Sequence, residues 1–179
     1  MKFKTNARID GYITSGSVMF LDIDNYMDIV CDYSIKKECE YIFNIYNIID
    51  KLSTRYSIKY LRSFGDGCLL LKEGRLSNQL KSSCINFLMD FNSELSKINV
   101  TFKASLCGGN FFYGTRHTNS NYEETILNGF IVNCAGISIK RCKNKQLAIT
   151  WLEESKIYCY NDVINKTKRY NLNEIGKLL

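Results

Sequence analysis

Two aspartates are the residues through which this chain can most readily do chemistry. Asp22 follows the apolar run Val18-Met19-Phe20-Leu21, and Asp66 stands between two glycines in Gly65-Asp66-Gly67. An apolar run that ends in carboxylates reads as a buried strand delivering acids at its end. The segments Ile58–Phe64 and Cys68–Leu71 flank the glycine-rich turn and read as a β-hairpin. If strand and hairpin are sheet neighbours, the two carboxylates converge and can hold hard divalent cations through oxygen. Two cations so held activate an attacking hydroxyl and stabilise a departing pyrophosphate. Singly, each acid has a plainer reading: Asp-Gly is ordinary hairpin chemistry, and Asp24-Asn25 has the composition of another turn. Together, at this spacing, they favour metal.

Other chemistries have little to work with. The single histidine, His117, lies in a polar stretch, which disfavours Ser-His-Asp, Cys-His and histidine-cage sites. The eight cysteines (31, 39, 68, 84, 107, 134, 142 and 159) are scattered without a C-x-x-C pair. That argues against zinc and for reduced, buried small side chains in a cytoplasmic protein. No long apolar run and no secretory signal are apparent, so neither a membrane span nor export is expected. A net charge of +6 suits a polyanionic ligand, a nucleoside triphosphate among them. The basic runs at 140–145 and 166–169 are weak signals by themselves.

The elements that must position the aspartates follow from periodicity. After the Val18–Leu21 strand, Ile35, Cys39, Ile42, Phe43, Tyr46 and Ile49 recur at helical steps. Beyond the hairpin, Leu76, Leu80, Cys84, Phe87, Leu88, Phe91 and Leu95 share one face of a second helix. Val100–Leu106 alternates as a strand ending at Cys107-Gly108-Gly109, and Phe111–Tyr113 reads as another. A helix over Ile131–Cys142 is entered through Gly129, and strands over Leu147–Thr150 and Ile157–Tyr160, with one near Arg169-Tyr170, close the chain. This order predicts an α+β fold: a ferredoxin-like, split βαβ, palm-type sheet with helices packed on one face, plus additions, in a single domain over 1–179.

Phe20-Leu21-Asp22-Ile23-Asp24-Asn25-Tyr26 is similar to the D-I-x-G-F strand and turn of class III nucleotidyl cyclases. Phe64–Gly67 is similar to the site of their second metal aspartate. Phe102–Gly109 with Tyr113-Gly114 resembles their strand-glycine-strand segment, and Gly129–Ala135 resembles their G-x-x-V-N-x-A. The matches run in register over residues 17–150, so the chain resembles a stand-alone catalytic domain of that family. The resemblance implies an enzyme that closes a nucleoside triphosphate into a 3′,5′-cyclic monophosphate with two divalent cations, Mg²⁺ or Mn²⁺. It implies metal contacts from Asp22, Ile23 and Asp66, triphosphate contacts from Ile23, Asn25 and Tyr26, and a ribose contact from Asn133. It further implies a homodimer with shared active sites, metals from one chain and the Asn133 helix from the other, and no nucleic-acid or membrane partner.

Two departures from the family pattern bear on the site. Where the family continues N-x-A-x-R, this chain has Ile137. A residue seven on from Asn133 lies nearly over it, about 10 Å along the helix. Lys140 occupies that place and leans toward the helix start; with the longer Arg141 it is a candidate for the missing charge, although both equally suit a helix C-terminus. Adenylate-specific members usually carry a lysine at the position of Arg62 and an aspartate at that of Ile126. Arginine offers donors only, so Arg62 suits base carbonyls, unless it serves as a cross-strand ion-pair partner. Altered base pockets of this kind resemble the pyrimidine cyclases of the Pycsar antiphage systems, and UTP or CTP is the expected substrate. Purine cyclisation is the alternative. Diguanylate cyclases share the D-x-D and a glycine-aspartate hairpin, but Gly67 stands in place of their glutamate and Gly129–Ala135 has no counterpart there. A catalytically dead nucleotide-binding dimerisation module, suggested by Ile137, is opposed by the presence of both aspartates. An RNA-binding ferredoxin-like domain is opposed by helices and acids in the places its basic aromatics would take.

Overall fold

The computed structural model describes residues 8–117, 122–152 and 164–179, and for Arg62 and Phe64 the backbone alone. Seven strands form one mixed sheet: β1 (Arg8–Ile23), β2 (Lys59–Phe64), β3 (Gly67–Glu73), β4 (Phe102–His117), β5 (Glu123–Asn128), β6 (Gln146–Trp151) and β7 (Lys168–Asn171). The order is β2-β3-β1-β4-β6-β7, with β5 also paired to β4. Only β4 and β6 run parallel; the other pairs are antiparallel. This is the expected α+β arrangement, with the first strand set between the hairpin and β4.

The apolar run of β1 is continuous because both of its faces are covered. Met19, Leu21 and Ile23 pack under α2 (Ile35–Tyr56) and α3 (Asn78–Ser96), the two long helices that lie on one face as predicted. Both start at a serine that accepts from a main-chain N–H three residues on, Ser34 from Lys37 and Ser77 from Leu80. Phe87, Phe91 and Phe102 lock α3 to β4, with the last two rings edge-to-face at 4.7 Å. The alternate residue Val18 faces the other way, into a smaller core with Cys107, Ile131 and Ala135, where α4 (Phe130–Lys140) packs as the addition to the split βαβ frame.

Several elements differ from the sequence expectation. Gly108 and Gly109 do not end a strand: β4 runs through them as one 16-residue strand, paired with β1 from Arg8↔His117 to Ile23↔Phe102. Glycine is required there by close approach. A Cβ on Gly108 would fall 2.6 Å from the Trp151 ring, and one on Gly109 2.4 Å from a methyl of Ile131. β1 begins ten residues before the apolar run, because its first half is paired rather than buried. β5 and the short helix α1 (Tyr26–Val30) carry no strong periodicity and were not anticipated. α2 extends to Tyr56, and its buried stripe is Ile42, Ile45, Ile49 and Leu52, leaving Ile35 and Phe43 exposed. The strand expected over 157–160 lies outside the described residues. The seven described cysteines are free; five are buried, Cys39 is half-buried and Cys31 is exposed. No described helix is long and apolar enough to cross a membrane.

The Trp151 ring lies against Gly108 where β4 pairs with β6. Gly108→Ala is expected to lower unfolding free energy by about 1–3 kcal/mol through overpacking, read as a lower urea midpoint at unchanged m-value. A midpoint equal to that of the parent would show that the Trp151 ring yields freely.

Candidate active site

Asp22 lies one residue from the end of β1, opposite Gly67 of β3 on one side and Lys103 of β4 on the other. The two-residue turn of the hairpin, Gly65-Asp66, folds back over this strand end. Gly65 has φ +67, the left-handed first position that a type II′ turn requires. The Tyr46 hydroxyl of α2 donates to the Gly65 carbonyl, and the Ile23 N–H donates to the Asp66 carbonyl at 3.3 Å. These ties bring the Asp66 and Asp22 carboxyls within hydrogen-bonding range of each other. Burial holds the Asp66 carboxyl above its ordinary value and the charge of Asp22 adds to that, while a backbone hydrogen bond and Lys103 oppose it. Lys103 Nζ sits 2.8 Å from Asp22 Oδ2. That hydrogen bond and the Asp22 charge push its ammonium above the usual lysine value.

The turn that follows is anchored more firmly than its sequence suggests. Asp24, read as a turn residue, is 3% exposed. Its Oδ2 accepts from Thr101 Oγ1 and from the Lys145 N–H, both at 2.9 Å, whereas Oδ1 is buried with no hydrogen-bond partner. Asn25 has φ +55 at the position of the family glycine, and asparagine is among the side chains that tolerate this region best. Its Oδ1 accepts from Asn144 Nδ2 at 3.1 Å. The loop after α4 therefore grips the turn after β1 at two adjacent residues. Tyr26 is buried, with its hydroxyl donating to Glu38 at 2.9 Å; burial and then this bond push its phenol upward. The Ile23 and Asp24 N–H groups are already engaged, by the Asp66 and Thr101 carbonyls. The Ile23 main-chain donor that the resemblance implies for a triphosphate is thus spent within the fold.

Residues alternate along β1, so Asp22 shares a sheet face with Phe20 and Val18, the face that carries α4. On that face a groove of about 650 Å³ is lined by Phe20, Leu61, Leu69, Ile126, Leu127 and Val132. Arg116, Tyr122, Glu123, Glu124 and Thr125 also line it. Arg116 lies 3.8 Å from Glu124, and His117 Nδ1 lies 3.2 Å from Glu123. Asn133 follows Val132 on the exposed side of α4, and Lys140 is exposed at the last helical residue. Ile137 and Arg141 border a small crevice with Ile164, Thr167 and Arg169. The Arg62 side chain lies outside the described residues. The structure thus joins Asp22, Ile23, Asn25 and Asp66 at one strand end, and sets Ile126 and Asn133 elsewhere on the same face.

Two residues at the carboxylate pair were missed. Lys103 interrupts an otherwise buried apolar stretch, Phe102 to Leu106, and a lysine there is a signal in itself. Its partner, however, is set by the β1–β4 register, which the sequence does not display. Asp24 was masked by its turn-like neighbour. No group of three or more histidine, cysteine, aspartate or glutamate side chains that could hold a metal occurs among the described residues. Two adjoining carboxylates with surplus negative charge nevertheless fit hard cations, whose shells accept main-chain, solvent and substrate oxygens.

Because folded Asp66 holds its proton more tightly than the unfolded chain does, stability falls as pH rises above the ordinary carboxylate range. Asp66→Asn removes that loss. In metal-free buffer the variant is expected to melt higher than the parent at about pH 7, with the gap closing toward about pH 4. A variant that melts no higher at the upper pH would contradict the electrostatic reading of the pair.

No protein-family model and no curated protein sequence matches the chain. Solved structures do. The adenylyl cyclase CyaB from P. aeruginosa superposes with a TM-score of 0.72 at 11% identity, covering 79% of each chain. The guanylate cyclase domain of RhGC from Catenaria anguillulae, solved in complex with GTP, gives 0.69 at 19% identity over 79% of this chain and 80% of that one. A dimeric guanylyl cyclase domain of the RhoGC fusion protein from the aquatic fungus Blastocladiella emersonii gives 0.68 at 20% identity over 79% and 81%. The chain has the fold of class III nucleotidyl cyclase catalytic domains.

Proposed function

We propose that this chain is a single nucleotidyl cyclase domain that converts a nucleoside triphosphate to its 3′,5′-cyclic monophosphate and pyrophosphate. The observation that carries the reading is the placement of Asp22 and Asp66 side by side at the end of β1, in this fold. Asp22 and Asp66, with the main chain of Ile23, would hold Mg²⁺ or Mn²⁺. Two cations bound there supply activation of the 3′-hydroxyl and neutralisation of the departing pyrophosphate. The main chain at Asn25 and Tyr26 orients the triphosphate, and the Lys145 and Asn144 contacts keep that turn in place. The 3′-hydroxyl gives up its proton to solvent. Its oxygen bonds to the α-phosphorus as the bond from that phosphorus to the α–β bridging oxygen breaks, and pyrophosphate leaves. Asn133 meets the ribose, and Lys140 or Arg141 supplies charge in place of the arginine that Ile137 replaces. These α4 residues act on the site of a second copy, in a homodimer. A GTP-bound form among the fold relatives supports the substrate class, and a non-canonical dimeric form is in keeping with a dimer.

On the base, we infer UTP or CTP, with purine cyclisation the alternative. Ile126 contributes an apolar surface where an adenine-reading carboxylate is expected, and the glutamates that line the groove already lie near Arg116 and His117. Arg62 then donates to a base carbonyl. A charged donor left unpaired by ATP costs about 1–3 kcal/mol or more, roughly tenfold to over a hundredfold in relative rate. A pyrimidine product would suit a second messenger in antiphage defence.

Incubation with each of the four triphosphates and Mg²⁺ or Mn²⁺, with products resolved by mass spectrometry, is expected to give cyclic UMP or cyclic CMP with the highest kcat/KM. ATP or GTP as the best substrate would overturn the pyrimidine reading and leave the cyclase. Asp22→Ala and Asp66→Ala are each expected to lose about a hundredfold or more in kcat with the fold intact. Full activity in either would end the two-metal reading. Mixing inactive Asp66→Ala with inactive Asn133→Ala is expected to restore partial activity through mixed dimers, and mixed dimers without rescue would exclude shared sites.

A further inference from the structure

We propose that Lys103 is a resident counter-cation with two carboxylate berths, Asp22 and Asp24, and that a divalent cation enters the site only by moving it from the first to the second. The proposal rests on the reading of Asp22 and Asp66 as metal ligands. Lys103 Nζ is bound at 2.8 Å to Asp22 Oδ2, an oxygen that a metal would need. Asp24 lies just past the end of β1, where its N–H donates to the carbonyl of Thr101, two residues before Lys103. That separation is one long side chains span, and the charges of Asp22, Asp24 and Asp66 all act on this ammonium.

The second berth is marked by an independent observation. Asp24 is 3% exposed and its Oδ2 already has two donors, but its Oδ1 is buried with none. A buried carboxylate oxygen in that state is costly until a donor reaches it. The displaced ammonium is a charged donor on which Asp24 already acts, and supplying it there leaves both metal-facing carboxylates free. In the nucleotide-free chain a bare dication meets carboxylates already partly neutralised, so it binds weakly. A metal–nucleotide complex brings further anionic oxygens and binds better. The exchange therefore selects the complex over the free metal.

The test is Mn²⁺ binding without nucleotide, followed by loss of the free-ion EPR signal, on the full chain. Parent, Lys103→Met, Asp24→Asn and the double variant are compared, each shown to be folded by a thermal melt. Lys103→Met is expected to bind Mn²⁺ about tenfold more tightly, the effect of one positive charge removed at contact distance. Lys103→Gln replaces it if that variant fails to fold. Asp24→Asn is expected to weaken Mn²⁺ binding in the parent and far less in the Lys103→Met background. Measurable Mn²⁺ affinity that Lys103→Met leaves unchanged overturns the counter-cation while sparing the metal reading. An Asp24→Asn loss of equal size in both backgrounds overturns the second berth. Absence of Mn²⁺ binding in the Lys103→Met protein overturns this proposal, and the metal reading falls with it only if Mn²⁺ is still not bound when a non-hydrolysable triphosphate is added.

Discussion

Two carboxylates of like charge held within hydrogen-bonding range resist being together, and the local architecture can be understood as the means of keeping them so. β1 delivers Asp22 from a strand buried on both faces, a position from which it cannot withdraw. The hairpin turn delivers Asp66, fixed from beneath by the Tyr46 hydroxyl and from the side by the Ile23 N–H. Lys103 tempers the repulsion from the opposite strand. A fold selected for stability alone would not retain this arrangement, since burial and the neighbouring charge both work against ionised Asp66.

The constraint extends into the turn and the far side of the sheet. Asp24 and Asn25 are each gripped by the loop that follows α4, which ties the turn after β1 to the chain leaving the Asn133 helix. The groove under β5 and α4 opens on the same sheet face as the carboxylates. The carboxylate pair and the groove therefore share one sheet face, while α2 and α3 cover the other. Solved cyclase domains share the fold at 11–20% identity.

What the sequence made legible was what local pattern encodes. The apolar run of β1 and the Gly65-Asp66 turn were readable because burial and turn chemistry leave strong marks. So were the α3 stripe and the entry to α4. The first half of β1 was not, since Arg8–Ser15 is stabilised by pairing with β4 and not by burial. Gly108-Gly109 looked like a strand end but makes room for Trp151 and Ile131, which only tertiary contact reveals. The convergence of Asp22 and Asp66 on one strand end was readable from spacing and the hairpin. Lys103 and Asp24 were not, because their roles depend on which residues face each other across strands.

The central claim is that Asp22 and Asp66 form one two-cation centre. Its most direct test is a crystal structure of the chain with Mn²⁺ and a non-hydrolysable triphosphate, using anomalous scattering to locate the metal. The account predicts two Mn²⁺ peaks between these carboxylates, both also bonded to triphosphate oxygens, with Lys103 no longer on Asp22. Nucleotide bound with no anomalous peak at the pair, or with metal held elsewhere, would contradict it.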